Sequence, residues 1–417
     1  MSQKKKKPSA LQTQKLASAK YKKEFFVKFH ELFNVFCDKE LYQLIPQRKL
    51  EEAYSIRSHS MRPVAAIDNQ IPVSLLNNFK IDITLILKNE ILTLEQNDTK
   101  ISLYDFLTVG LTLIRFSLMI RENEFEGSKT IRESLKKFRI VGEFDLLVRS
   151  KITQILNSTT LWYNDIGKCL YWLKYDIIGF NNPNIGIQHL AYVYTHIPQF
   201  SSVEIHGKNK QVILLERVLP QTGPDAISII PFIFKSNSPF AKIPMKVYIQ
   251  NHAIMRLAER IDSINTGLAQ FFMYRSFDEP NVFYDNHQNL LIEYRVFDIK
   301  AGYFRVDMVD GIILVRTFLF ITNTGTPEGQ LLEKNTGLQK LDKKYLAIDK
   351  LSTFMSSDIG DNRELQKIID ESGCHCLIEL YKRIKKTIIK EGSHITDDIL
   401  ISYLNKENTF ETDDTLS

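Results

Sequence analysis

Tyr303-Phe304-Arg305-Val306-Asp307-Met308-Val309-Asp310-Gly311-Ile312-Ile313-Leu314-Val315-Arg316-Thr317-Phe318-Leu319-Phe320 is the stretch on which the reading of the fold turns. An Asp-Gly pair between two alternating apolar runs is a strong signal for a two-residue type I′ hairpin turn, whose central residues both need positive φ. The turn predicts antiparallel strands over 303–309 and 312–322, with Val309 opposite Ile312, Asp307 opposite Leu314 and Arg305 opposite Arg316. An earlier strand is expected over 290–298. A three-residue turn at Lys300-Ala301-Gly302 would bring Arg295 opposite Asp307. Two arginines facing each other on one strand pair repel unless an anion is near. Two readings stay open: a local network with Asp307 and Glu293, or a phosphate or carboxylate site held by guanidinium forks.

Upstream, Asn251 to Ile261 reads as a helix. At about 100° per residue, Ile254, Leu257, Ala258, Ile261 and Ile264 share one face. His252, Arg256, Glu259 and Arg260 are read as the opposite face, with Asn251 placed to cap the first turn. The pattern is that of a solvated helix face laced with ion pairs, or of an imidazole and guanidiniums presented to a ligand. A second helix is expected around Leu268–Arg275.

A helix opening His-Ala-x-x-Arg-x-x-Glu-Arg, followed by a meander of strands carrying arginines, resembles the RelE/ParE-like superfamily of bacterial toxins. The likeness spans about 70 of 417 residues, 250–322. It implies a compact α+β module and, as in ribonucleolytic members, metal-independent RNA cleavage. On that likeness His252, Arg256 and Glu259 are the catalytic candidates, and Arg260, Arg305 and Arg316 the phosphate-binding ones. Residues 250–320 hold seven Lys and Arg against nine Asp and Glu, however, an acidic balance for a module that grips RNA by itself.

The rest of the chain is mixed. Residues 1–20 read as a disordered basic arm, and Phe25, Phe26, Phe29, Leu32, Phe33 and Phe36 as the stripe of an amphipathic helix. A mostly helical domain over 21–180 is expected, with a strand at Lys80–Leu87 from the alternation of Ile81, Ile83 and Leu85. Helical runs follow at 102–121, 129–138, 143–156 and 160–175, and a boundary loop at Asn181–Asn184. An α+β domain over 185–350, polar loop at 323–340, helices over 361–404 and an acidic tail over 405–417 complete the layout. The fold class is mixed α/β (α+β).

With 44% hydrophobic and 25% charged residues the chain can build a core and is neither disordered nor collagenous. Its net charge of +5 is unevenly placed. Residues 1–30 carry nine Lys against one Glu, and residues 391–417 seven acids against one Lys. The arm is therefore the expected seat of polyanion attraction. No leader is read at the N-terminus, since Lys4–Lys7 are followed by polar residues. Leu103–Ile120 contains Asp105 and Arg115, which argues for a core helix and against a membrane partner. Four cysteines form no disulfide framework, and the compartment reading is cytoplasmic. Cys374-His375-Cys376 lacks zinc spacing, and no cofactor or metal is expected. Trp162, Tyr163, Tyr171, Trp172 and Tyr175 at near-helical spacing read as core before they read as a base-stacking platform. Two functions are carried forward. One is an RNA- or phosphate-binding module, with metal-independent ribonuclease activity if it is an enzyme. The other is a non-enzymatic protein that binds a protein partner through its Phe-rich first helix.

Overall fold

The Asp310-Gly311 turn forms, with φ of 48° and 78°. The structure is a computed structural model and describes residues 10–67, 69–94, 99–136, 142–179, 182, 185–205, 207–219, 222–234, 242–356 and 363–388. Strands Ile299–Val309 and Ile312–Phe320 pair from Val309↔Ile312 through Asp307↔Leu314, as the turn dictates. Beyond Val306↔Val315 the register shifts, so Arg305 faces Thr317 and Arg316 is the extra residue of a β-bulge. The expected Arg305–Arg316 opposition does not form. The cause is core parity: Val315 and Phe318 both enter the main core, which an odd spacing allows only if one residue is bulged out.

The preceding turn differs too. It is a two-residue turn at Phe297-Asp298, with φ of 52° and 62°, and not a three-residue turn at Lys300–Gly302. Phe297 is buried with its ring centroid 4.9 Å from that of Phe272, which anchors the turn early. Arg295 therefore faces Lys300 and not Asp307.

The protein is α+β: helices dominate the N-terminal region, and the large C-terminal sheet is mostly antiparallel. By contact density the chain divides into two units. One comprises Met1–Leu156 and Lys174–Val193, the other Asn157–Leu173 and Tyr194–Ser417. The chain thus crosses between them three times and not once at Asn181–Asn184.

In the second unit the sheet runs, strand by strand, Val282–Tyr284, Leu290–Val296, Ile299–Val309, Ile312–Phe320, Met245–Gln250, Lys208–Leu214 and Phe200–Ile205. Met245–Gln250 and Ile312–Phe320 are parallel neighbours; the other neighbouring pairs in this order are antiparallel. Helices Asn251–Arg260 and Thr266–Asp278 pack on one face, where Leu257, Phe272, Tyr294, Phe304, Val306 and Phe318 share a core. The Tyr294 hydroxyl donates to the Ala269 carbonyl at 3.1 Å and ties sheet to helix.

The 323–340 stretch, expected as loop, contains the helix Pro327–Thr336. Thr326 caps it by accepting from the Gly329 amide, Pro327 fits the first turn, and Glu328 is buried on Lys300 and Tyr303. Helices Arg363–Glu371 and His375–Ile388 follow; the remainder of the expected 361–404 helices and the 405–417 tail lie outside the described residues.

In the first unit the leading helix is Ala10–Phe36, so residues 10–20, expected in the disordered arm, are helical; residues 1–9 lie outside the described residues. Ala, Leu, Gln and Lys extend the helix because they lose little freedom in it. Phe25, Phe29, Leu32 and Phe33 are buried within the unit, the Phe29 and Phe116 rings 5.6 Å apart. Four of the six stripe residues thus go into the fold, while Phe26 and Phe36 are half-buried.

The expected strand at Lys80–Leu87 is part of the helix Val73–Asn89. Phe79, Ile83, Ile86 and Leu87 form its buried stripe, while Ile81 and Leu85 are exposed. Helical burial of four large side chains outweighs the small propensity cost of β-branching. Similarly, the helix expected over 160–175 stops at Leu161, and Leu170–Ile178 is a strand. Asn164 and Asp165 break it: their side chains accept from the Tyr171 and Gly167 amides. Trp172 then stacks on Tyr194 at 5.0 Å.

Candidate functional site

The six residues singled out from the sequence do not form one site. The helix begins at Asn251 itself, with Gln250 in the cap position, so Asn251 does not cap it. His252 is exposed, and Arg256 donates to Glu259 at 2.5 Å on the same outer face. Arg260 is turned inward at 9% exposure and pairs with the Asp349 carboxylate. It stands four and seven residues from Arg256 and Ala253, and shares the buried stripe of Ala253 and Leu257.

Phe304 and Val306 point into the core beneath this helix, whereas Leu314 joins Val212 and Ile205 in a separate cluster on the other face. By strand alternation Arg305 and Asp307 project on that other face. Arg305 is exposed there, and Arg316 donates to Asp307 at 2.5 Å. The sheet therefore lies between His252 and Arg256 on one side and Arg305 and Arg316 on the other. One-site chemistry needs base and phosphate clamp within hydrogen-bond reach of the same bond, an arrangement these four residues do not form here. Because the Arg316–Asp307 pair is about a quarter to a third exposed, Arg316→Ala should cost under about 1 kcal/mol in denaturant unfolding. A larger loss would mean the bulge depends on the pair.

Two other constellations invite chemistry. In the first unit His189 sits between Ser58 Oγ, 2.8 Å from Nε2, and Tyr175 Oη, 2.7 Å from Nδ1. The order hydroxyl–imidazole–orienting group is that of an activated nucleophile. Ser58 and His189 are nevertheless buried, at 0% and 1%, so the hydroxyl meets no substrate, and burial pushes the imidazole down to about 4. It is a neutral structural link. In the second unit, burial pushes the Cys374 thiol up to about 12 and that of Cys376 to about 11. His375 is exposed and bonds Asp370 at 2.6 Å. Among the described residues no three His, Cys, Asp or Glu side chains group to hold a metal ion.

What the structure does assemble is an open groove of about 770 Å³ in the first unit. One wall is the leading helix, which contributes Lys20, Tyr21, Lys23, Glu24, Val27 and Lys28 at successive turns. Lys88, in the last turn of Val73–Asn89, closes one end, and Ser102, Tyr104, Asp105, Thr108 and Val109 line the opposite side.

That side is built by an irregular helix. Ser102 caps it by accepting from the Asp105 amide at 3.0 Å, and a π-helical segment, Phe106–Gly110, interrupts it. The Thr108 hydroxyl donates to the Tyr104 carbonyl at 2.8 Å, and Thr112 to Thr108 at 2.7 Å, which keeps carbonyls satisfied where the turn widens.

The groove is cationic but not uniformly so. Lys20 is 3.8 Å from Glu24, and Lys28 3.1 Å from Glu31, whose hydrogen bond holds the ammonium above its usual range. Lys88 lies 5.3 Å from the Tyr104 ring centroid. Burial pushes the Tyr104 phenol up, so it stays neutral. Four lysines face two carboxylates, Glu24 and Asp105, around an apolar interior. From the sequence Lys20 and Lys23 stand out only as part of the lysine-rich residues 1–30. A reading of the sequence misses Lys88 and Asp105 because three segments distant in sequence converge. Compared with known protein families, curated proteins and solved structures, the chain matches none. Among the described residues no helix is long and apolar enough to cross a membrane.

Proposed function

We propose that this chain is a binding protein for a phosphate-bearing polyanion, with RNA the partner its lysines suit, and that it binds without cleaving. The observation that carries this reading is the groove, where Lys20, Lys23, Lys28 and Lys88 line one cavity. The division of His252 and Arg256 from Arg305 and Arg316 by the sheet weighs against ribonuclease chemistry, and the burial of the Phe stripe weighs against docking through the first helix's apolar face. Lysines along a groove track a phosphate backbone without reading its sequence, and tyrosines beside them offer stacking surface.

The test is binding of a short single-stranded RNA by the full chain, measured against salt concentration. Lys23→Ala and Lys88→Ala should each weaken binding for every sequence alike and flatten the logarithmic salt slope by about 0.7. Deleting residues 1–9, with Lys4–Lys7, should flatten it further. Intact RNA is expected after prolonged incubation. Salt curves unchanged in both lysine variants would overturn the reading, and RNA cleavage lost in His252→Ala would restore the nuclease one.

A further inference from the structure

The groove contains more than a plain anion patch needs. Glu24 and Asp105 accept hydrogen bonds only, and in a site for bare phosphate they would repel the ligand. Neither the lysines alone nor the carboxylates alone describe the occupant. A ligand that satisfies both carries negative charge at one place and N–H or O–H donors at another. Its middle must cover the apolar stretch between Val27 and Val109. The volume, about 770 Å³, lies within the usual range of small-ligand pockets and holds more than a phosphate ion fills. The π-helical segment supplies Thr108 and Val109 to the lining; such segments cost regular hydrogen bonding and recur at binding sites.

We propose that this groove is a site for a nucleoside phosphate, with Lys23 and Lys88 available to the phosphate, Lys28 being already paired with Glu31, and Asp105 and Glu24 accepting from ribose hydroxyls or base amines. The proposal rests on the anion-binding reading above and deepens it. The same chemistry is presented by a free nucleotide and by one unit of a single-stranded RNA.

Calorimetric titration of the full chain separates the cases. The titrants are adenosine monophosphate, cytidine monophosphate, hexaadenylate and inorganic pyrophosphate. The variants are Lys88→Ala and Asp105→Ala, each checked for folding by circular dichroism and replaced by Lys88→Gln or Asp105→Asn if it melts early. A nucleotide should bind more tightly than pyrophosphate, and Lys88→Ala should weaken both by about tenfold, the size of one charge-assisted hydrogen bond. Asp105→Ala should act with opposite signs, weakening the nucleotide and strengthening pyrophosphate. Mononucleotide binding with that signature assigns the site to free nucleotides; the signature with hexaadenylate alone assigns it to a unit of RNA. If Asp105→Ala strengthens every titrant, or pyrophosphate binds as tightly as the nucleotides, the nucleotide proposal fails while the polyanion reading stands. If no titrant binds, both fall.

Discussion

Arg115→Met should destabilise the first unit by about 3–5 kcal/mol in denaturant or thermal unfolding, near the upper end for a single substitution. Arg115 is 6% exposed, and among the described residues no carboxylate pairs with it. Its guanidinium donates instead to backbone carbonyls: Ile185 and Gly179 at 2.6 Å each, Asn182, and Ile56 at 3.4 Å. It thereby ties Gly179, Asn182 and Ile185 to the helix Leu111–Met119. Methionine keeps the volume; the Gly179 and Asn182 carbonyls still accept from the Asn182 and Ile185 amides, but those of Ile185 and Ile56 lose the guanidinium, each orphan costing about 1–3 kcal/mol where water does not reach it. Desolvation lowers the pKa of the guanidinium, the expected sign for a buried cation held only by dipoles. A loss below about 1 kcal/mol would mean that water replaces the guanidinium.

The second large effect is acid lability. His189 has its pKa pushed down to about 4 by burial first, with the neighbouring His59 adding to it, against about 6.5 in an unfolded chain. The folded form therefore holds the imidazole neutral. Above pH 6.5 its contribution is fully present. As pH falls from 6.5 towards 4 the unfolded chain takes up a proton that the folded chain refuses, and roughly 3 kcal/mol is lost across that window. His59 is lowered by burial as well and adds in the same direction. Unfolding free energy measured from pH 7.5 to 4 should show this fall, and His189→Gln should flatten it even if the variant is less stable throughout. An unchanged slope in His189→Gln would assign the acid limb to other groups.

The hairpin was legible because its determinants are local. An Asp-Gly pair admits few backbone conformations, and its two positive φ values set the pairing of the next four residues on each strand. At the fifth pair the prediction broke: the Arg316 bulge depends on which side chains the core beneath accepts. Arg260 is different. Its spacing from Ala253 and Leu257 already placed it on the buried stripe, but its charge drew it to the solvated face in the reading. Thr326-Pro327-Glu328-Gly329 likewise carried a legible helix start in its Thr cap and first-turn Pro.

By itself the sequence determined the α+β class, the hairpin turn, the amphipathic leading helix and the uneven placement of charge. These follow from backbone sterics and from periodicity, which act over a few residues. Tertiary structure alone decided that Ile81 and Leu85 lie on a helix and not a strand. It also placed His252 and Arg305 on opposite faces of a sheet, and gathered Lys23, Lys88 and Asp105 around one groove. The physical reason is that burial is a property of the assembled core. Which face of an element is hidden, and which distant segments meet, depends on the surfaces that other segments offer, and no short window of sequence contains them.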